Sequence, residues 1–265
     1  MRLVVDSLCV SYGDKRVLKG VCAGFDTDNV YLVVGMNGSG KTTLFNAVNE
    51  LISADSGRVF IEDSQSDGMR SDGMRSEDSA GSGSGFSVLC SLGDAGFKKR
   101  LFYVPSDFYL PEYMSGVEYL RFVLKWYPSS SFELASVLCR VLDMNVAARK
   151  LIESYSFGMK KKIQIIAAIA SNADFVLADE LFSGLDFETV LLLQEIIETV
   201  RKNRCFVLVT HDAGTVQRYP GFVSVMRDGL LERFEGSSAG LLDYMRRAGD
   251  IDGKVRQVER YAVSL

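Results

Sequence analysis

Short apolar runs with no polar alternation occur at three places in the chain. They are VYLVV at residues 30–34, DFVLAD at 174–179 and CFVLVTH at 205–211. Runs of this length and continuity are typical of strands that are covered on both faces. Between the second and third runs, residues 187–202 place their apolar side chains on one helical stripe. The order strand, helix, strand predicts a parallel sheet and therefore an α/β fold.

Helical patterns accompany these strands. A glycine-rich turn and the helical run TTLFNAVNELI follow the first strand, which is how an α/β unit begins. Residues 114–142 carry two amphipathic helix patterns separated by Pro128 and a serine run. We also expect a helix at AGLLDYMRRA, residues 239–248, near the end of the chain.

One segment differs from the rest in composition. The stretch SDGMRSDGMRSEDSAGSGSG at residues 66–85 repeats a five-residue unit and ends in a Gly/Ser tract. With almost no apolar side chains, it cannot bury enough surface to order itself. We therefore expect a disordered surface insertion at 64–86, with a partner-docking arm or an engineered linker as the alternatives. Around it, we expect a catalytic core at 1–104 and 160–265 and a helical lobe at 105–159.

The composition is that of a globular protein. Of 265 residues, 47% are hydrophobic, which is enough for a sizeable core, and no apolar run approaches the roughly 18 residues needed to cross a bilayer. The N-terminal residues MRLVVDSLCV lack the pattern of a signal peptide, so we expect the protein in the cytoplasm. Its five cysteines are widely spaced, which favours buried free thiols. The net charge of −4 disfavours nucleic acid as a partner.

The glycine-rich turn reads GMNGSGKTT at residues 35–43 and fits the phosphate-binding pattern G-x-x-x-x-G-K-[ST]. Its glycines let backbone N–H groups turn around phosphate oxygens, and the following helix adds its positive N-terminal end. We expect Lys41 to neutralise phosphate charge, the Thr42 hydroxyl to bind Mg²⁺, and Thr43 to donate to a phosphate. The residues expected to hold the nucleotide are Gly35, Asn37, Gly38, Ser39, Gly40, Lys41, Thr42 and Thr43.

Two acidic residues and the single histidine of the chain follow the other two strands. Asp179 and Glu180 end one strand, and paired carboxylates are costly unless a cation compensates them. We therefore expect Asp179 to hold Mg²⁺ and Glu180 to polarise the water that attacks a γ-phosphate. His211 ends the next strand. Since ligands lie beyond the carboxyl ends of parallel strands, we expect its imidazole near the same phosphate.

Taken together, these motifs resemble the nucleotide-binding subunit of ATP-binding cassette (ABC) transporters, and their order and spacing match over nearly the whole chain. YSFGM at 155–159 resembles the signature that opens a helix in that family, with Ser156 and Gly158 as its Ser and last Gly. SGLD at 183–186 resembles the D-loop, and Tyr12 resembles the aromatic residue that stacks on adenine. The resemblance implies a P-loop NTPase of ABC type. Its sheet would be mixed and mostly parallel, with an N-terminal antiparallel β part, a RecA-like core and an inserted helical lobe.

The resemblance also implies the activity and its partners. It implies ATP hydrolysis with Mg²⁺, in which Lys41, Glu180 and His211 are the catalytic residues. Ser156 and Gly158 of one subunit would face the P-loop of a second, so ATP would be bound at the interface of a homo- or heterodimer. An integral membrane permease would be the other partner, and the chain would lie peripherally on the cytoplasmic face of the cell membrane.

Several positions depart from the family pattern, and two of these departures bear on the site. Ser106 stands where the family has a glutamine that reaches Mg²⁺, with Asp107 beside it, so a metal contact from Ser106 would need a water or a shifted loop. Phe157 replaces the second glycine of the signature. These departures favour an exporter. We expect the lysines at 160–162 to form a solvated basic face.

Two other functions stay open at this point. One is a soluble ABC-type ATPase that acts on ribosomes or DNA, although such proteins usually carry two cassettes or long coiled-coil arms. The other is a regulatory module that binds ATP without hydrolysing it, which Ser106 and Phe157 motivate.

Overall fold

The structure is a computed structural model that describes residues 1–64 and 86–262. The predicted insertion at 64–86 therefore lies outside the described residues, except for its first and last residue. Those two residues end and begin two strands that pair antiparallel with each other. Throughout the described part of the chain, no helix is both long and apolar enough to span a membrane.

A four-stranded antiparallel sheet is built mostly from the N-terminal part of the chain. Its strands are β1 (Arg2–Tyr12), β2 (Lys15–Asp26), β4 (Ser56–Ser64) and β5 (Phe86–Ser91), in the order β2-β1-β4-β5. The turn between β1 and β2 contains Gly13 with a φ of +57°, a conformation that glycine adopts without strain. The expected antiparallel β part is confirmed.

A six-stranded sheet forms the centre of the molecule. Its strands are β3 (Val30–Val34), β6 (Leu101–Val104), β7 (Phe175–Asp179), β8 (Cys205–Val209), β9 (Val223–Arg227) and β10 (Leu230–Arg233). The order is β10-β9-β3-β8-β7-β6, and every neighbouring pair is parallel except β9 and β10. The three strands that the apolar runs predict lie side by side as β3, β8 and β7, so the predicted α/β fold is confirmed.

Helices connect and cover these strands. They are α1 (Lys41–Val48), α2 (Ala95–Lys98), α3 (Gly116–Leu124), α4 (Phe132–Val141), α5 (Phe157–Ala170), α6 (Phe187–Val200), α7 (Ala213–Arg218), α8 (Ser238–Ala248) and α9 (Ile251–Ala262). Two short 3₁₀ turns, Ala147–Arg149 and Ile152–Ser154, precede α5. The expected boundary of the helical lobe at residue 159 falls in the first turn of α5.

The central sheet separates two apolar cores. Along β3, Val30, Leu32 and Val34 pack into one core with side chains from α3, α4, α5 and α6. Tyr31 and Val33 point the other way, into a core shared with α1 and the antiparallel sheet. Because successive side chains of a strand face opposite sides, a strand that is covered on both faces needs an unbroken apolar run.

The parallel arrangement also collects the polar motifs at one edge. The carboxyl ends of β3, β8, β7 and β6 are adjacent, and they are followed by Gly35, Thr210, Glu180 and Pro105 respectively. In sheets of this kind, ligands bind beyond that edge.

Candidate active site

The glycine-rich loop at 35–40 leaves β3 and leads directly into α1. A Cβ on Gly35 would lie 2.3 Å from the Met226 carbonyl oxygen, so only glycine allows the loop to approach β9 this closely. Gly40 precedes α1 with a φ of +112°, a conformation that a side chain would strain. These two glycines therefore set the position from which α1 begins.

Lys41 is buried in the loop that it follows. Its Nζ donates to the carbonyl oxygens of Gly35 at 2.8 Å and Met36 at 3.0 Å. Burial lowers the pKa of Lys41, while the charges of Asp179 and Glu180 act in the opposite direction. An ammonium group has three N–H donors, so two of them fix the side chain and the third can meet a phosphate oxygen.

Thr42 and Asp179 are joined across the site. The Thr42 hydroxyl donates to Asp179 Oδ2 at 2.6 Å, and only 2% of Asp179 is exposed. Burial is the main cause that raises the pKa of Asp179, Glu180 raises it further, and the Thr42 hydrogen bond lowers it. A cation at this carboxylate would favour its charged form.

This donor pair fits Mg²⁺. The ion prefers hard oxygen ligands, and it is usually held by one or two carboxylates together with substrate phosphates and waters. A buried carboxylate and a hydroxyl 2.6 Å apart supply the protein's share. Among residues 1–64 and 86–262, no group of three or more His, Cys, Asp and Glu side chains could hold a metal alone. Phosphate oxygens and waters would complete the coordination that Thr42 and Asp179 begin.

Glu180 turns out of the strand that ends at Asp179. It has a φ of +51°, which costs a residue with a side chain about 1–3 kcal/mol and is often found at functional sites. Its Oε1 lies 3.6 Å from Nε2 of His211, and both side chains are about 40% exposed, at 42% and 40%. The pair therefore stands at the mouth of the site, where water can reach it.

A single cavity of about 390 Å³ brings most of the predicted residues together. The predicted residues that line it are Asn37, Gly38, Gly40, Lys41, Thr42, Thr43, Ser106, Asp179, Glu180 and His211. Lys15 and Val17 of β2 line it as well, and sequence reasoning missed both. Because Lys15 and Val17 are two residues apart on β2, they lie on the same face of the strand. No sequence motif, however, indicates that this face borders the nucleotide cavity.

Gly35 and Ser39 line a second cavity, of about 400 Å³, which shares Lys15, Val17, Asn37 and Gly38 with the first. Residues of β2, of the β9–β10 turn and of α8 complete its walls. Tyr12 lines neither of these two cavities and is 52% exposed at the end of β1. Its predicted contact with adenine stays a prediction.

The predicted signature residues lie at the exposed start of α5. Ser156 is the N-cap of this helix, and its hydroxyl accepts a hydrogen bond from the Met159 N–H at 3.3 Å. A Cβ on Gly158 would lie 3.3 Å from the Gly184 carbonyl oxygen, so the signature and the D-loop residues are in contact. Neither Ser156 nor Gly158 lines the cavity that contains Lys41.

The prediction of a solvated lysine face is wrong for Lys161. The side chain of Lys161 is fully buried, whereas Lys160 and Lys162 are partly exposed. Burial lowers the pKa of Lys161 to about 8, and the charges of Asp179, Glu180 and Asp107 limit this effect. In a run of three identical side chains the sequence does not mark which one faces the core, since α5 packs on the sheet along part of its circumference only.

Comparisons with known proteins agree with this arrangement. A family model described as ABC transporter matches residues 18–183. The chain is 21% identical over 256 residues to the phosphonates import ATP-binding protein PhnC of Fusobacterium nucleatum, which covers 92% of this chain and 96% of that protein. It is 26% identical over 212 residues to the lipopolysaccharide export system ATP-binding protein LptB of Haemophilus influenzae, with coverages of 78% and 79%. A solved structure of an ATP-binding subunit of an ABC transporter has the same fold, with a TM-score of 0.73, 23% identity and 94% coverage of both chains.

Proposed function

Since the chain belongs to the ABC transporter family and is one of its ATPase subunits, we propose that it binds ATP with Mg²⁺ in the cavity around Lys41. We propose further that hydrolysis there powers transport through a separate membrane subunit. The observation that supports this proposal best is the shared cavity: one space of about 390 Å³ is lined by the phosphate loop, the Asp179–Glu180 pair and His211.

Each side chain has a chemical role that follows from its position. Lys41 would offset phosphate charge with its free N–H, while the loop backbone and the N-terminus of α1 bind the remaining oxygens. Thr42 and Asp179 would hold Mg²⁺, which supplies charge neutralisation at the phosphates. Glu180 would accept a proton from the attacking water, and His211 Nε2, 3.6 Å from its carboxylate, would orient that water or the γ-phosphate. Ser106 lines the same cavity and would reach the ion through a water.

A second nucleotide-binding subunit would complete the site. The N-terminus of α5 is a helix end with its positive dipole facing outward, which suits a phosphate group. Because Ser156 and Gly158 lie outside the cavity of their own chain, they would contact ATP bound to a partner. A two-fold dimer would then enclose two nucleotides. The partner would be a second copy of this chain or a related subunit.

Our proposal for the direction of transport is based on two residues. We propose that the transporter is an exporter. The reason is that Ser106 and Phe157 replace the glutamine and the glycine of the family pattern. The comparisons leave the direction undetermined: the relatives are mostly importers, one being named for phosphonate import, while another is named for lipopolysaccharide export. We place the chain on the cytoplasmic face of the membrane, where ATP is available.

Co-purification tests the transport role directly. Tagged chain should be isolated from detergent-solubilised membranes of its source organism, and bound proteins identified by mass spectrometry. We expect an integral membrane protein in a stoichiometric amount, and ATP hydrolysis by the complex several-fold above that of the free chain. Recovery of ribosomes or DNA in place of a membrane protein would support the soluble ATPase. A complex that binds ATP without releasing phosphate would support the regulatory module.

A further inference from the structure

Lys161 forms hydrogen bonds to two backbone segments that border the candidate active site. It lies on α5, one helical turn after Phe157, and its side chain is 0% exposed. Its Nζ donates to the Pro105 carbonyl oxygen at 3.2 Å and to the Asp179 carbonyl oxygen at 3.4 Å. Pro105 begins the loop after β6, and Asp179 ends β7. One ammonium group therefore connects α5, this loop and the catalytic strand.

The surroundings of Lys161 are those of a compensated buried cation. The nearby carboxylates are Asp107 on the loop and the Asp179–Glu180 pair. The ring of Phe108 lies 6.0 Å from Nζ, a distance at which an aromatic face attracts a cation. Burying a charge is expensive unless it is compensated. Here two carbonyl oxygens and the more distant charges of the hydrolysis site compensate it in part, and burial still lowers the pKa of Lys161.

The loop that Lys161 holds also carries Ser106 into the nucleotide cavity. Phe108, in the same loop, packs edge-on against Phe157 with the ring centres 4.7 Å apart. Phe157 in turn lies over Gly184, where a Cβ would come within 2.2 Å of the ring. The loop is thus fixed to α5 at two points, by an ammonium group and by an aromatic pair, and both points lie beside residues expected to contact ATP.

We propose that Lys161 is a positioning residue for ATP hydrolysis, which holds residues 105–108 against the end of β7. In this role it keeps Ser106 and the Asp179–Glu180 pair at their places in the cavity without contacting the substrate. The inference rests on the proposed function. A purely structural role would make the Lys161→Met protein less stable, because removing one buried charge leaves its neighbours uncompensated, but would leave the local exchange and the kcat of the folded protein unchanged.

Hydrogen exchange at the end of β7, where Lys161 holds the loop, tests this tether without any nucleotide. Lys161→Met removes the charge and both hydrogen bonds at nearly constant volume. We expect the backbone amides at the end of β7 to exchange about tenfold faster in this variant, including the Glu180 N–H, which donates to the Val209 carbonyl oxygen at 3.1 Å. A hydrogen-bonded amide of this kind exchanges only through local opening. Lys162→Met is the matched control, because its Nζ donates to the Leu142 carbonyl oxygen at 3.3 Å, away from the loop. It should leave the exchange of these amides unchanged.

Steady-state kinetics provide the second readout. We expect Lys161→Met to lower kcat for ATP about tenfold or more while KM changes less than about twofold, because the loss falls on groups that act in the transition state. Lys161→Gln keeps an N–H donor and should restore part of both the amide protection at the end of β7 and kcat. Lys162→Met should match the wild type in both assays.

The outcomes separate this inference from the proposed function. Unchanged exchange of the amides at the end of β7 in Lys161→Met, or an unchanged kcat in folded protein, overturns the role of Lys161 and leaves the ATPase assignment intact. Wild-type protein without phosphate release refutes the proposed function. The exchange experiment still tests the tether in that case, because it needs no ATP.

Discussion

Glu180 is the residue whose position most directly supports hydrolysis. Its left-handed backbone, with a φ of +51°, points the carboxylate towards His211 and away from the direction of β7. Strain of this kind persists only where the surrounding structure enforces it. Here the Glu180 N–H donates to the Val209 carbonyl oxygen at 3.1 Å, which fixes the backbone at the adjacent strand end.

The first prediction concerns this carboxylate. Glu180→Gln keeps the shape of the side chain and removes its ability to accept a proton, so we expect phosphate release to fall about 10²–10⁴-fold. ATP affinity, measured by fluorescence titration, should stay within about threefold of the wild type, because binding depends on the loop and Lys41. Glu133→Gln is the control, since Glu133 is exposed on α4. The Glu133→Gln protein should hydrolyse ATP at the wild-type rate. An active Glu180→Gln protein would remove Glu180 from the mechanism.

The second prediction concerns Lys41. Its ammonium group is the buried cation that the loop carbonyls of Gly35 and Met36 hold in place, so Lys41→Ala should weaken ATP binding by about tenfold or more. Isothermal titration with Mg·ATP measures the loss. Lys202→Ala, a change in an exposed turn after α6, should bind like the wild type. Equal affinity in the Lys41→Ala protein would contradict the phosphate-binding assignment.

At the scale of elements, the sequence was informative wherever a segment had one clear pattern. The strands β3, β7 and β8 are unbroken apolar runs because both of their faces are covered, and that property is visible in the letters alone. Helix α9 (Ile251–Ala262) was not predicted, because its apolar residues Ile251, Val255 and Val258 are sparse among charged ones and are exposed. Hydrophobic periodicity in the sequence reveals a helix when one face of that helix is buried, and α9 buries few of its side chains.

The candidate site also contains residues that a sequence pattern marks and residues that no pattern marks. The motifs at 35–43, 179–180 and 211 are recognisable because their spacing is tied to phosphate chemistry, and most of their residues line one cavity. Lys161 and Val17 were not found, since a buried lysine and a strand valine have no distinguishing sequence context. Their roles depend on how α5 and β2 pack onto the loop, which is a tertiary property.

The third prediction tests the contact between the D-loop and α5. Gly184 has a φ of +74° and a Cβ there would meet the Phe157 ring at 2.2 Å, so Gly184→Ala should move that ring away from Phe108. Gly13→Ala is a matched control, because Gly13 has a φ of +57° but nothing within 4 Å of the added Cβ. Both changes should cost about 1 kcal/mol of backbone strain, measured as the free energy of unfolding in urea.

The difference between the two variants isolates the side-chain contact. We expect Gly184→Ala to lose about a further 1 kcal/mol, the usual contribution of an aromatic pair. In a Phe157→Ala background this excess should disappear. If Gly184→Ala and Gly13→Ala lose the same free energy in the wild-type background, the Phe157 ring is not held over Gly184.

At the scale of the whole molecule, two surfaces would form the two halves of the proposed composite site. One is the cavity with Lys41 and Glu180, which is open to solvent. The other is the N-terminus of α5, where Ser156 caps the helix and Phe157 is 52% exposed. A two-fold dimer would satisfy both, because the same pair of surfaces occurs on each partner.

The last prediction tests this composite site with a charge that leaves the helix cap intact. Aspartate and asparagine both cap helices about as well as serine, so Ser156→Asp and Ser156→Asn should fold alike. Only aspartate places a negative charge where the partner's γ-phosphate would lie, and like charges at close range repel by several kcal/mol when water is excluded. In the Glu180→Gln background, ATP should convert the Ser156→Asn protein from monomer to dimer in light scattering, whereas the Ser156→Asp protein should stay monomeric. Both should bind ATP as monomers with equal affinity, because Ser156 lies outside the cavity of its own chain. Dimerisation of the Ser156→Asp protein would show that the start of α5 does not face a phosphate.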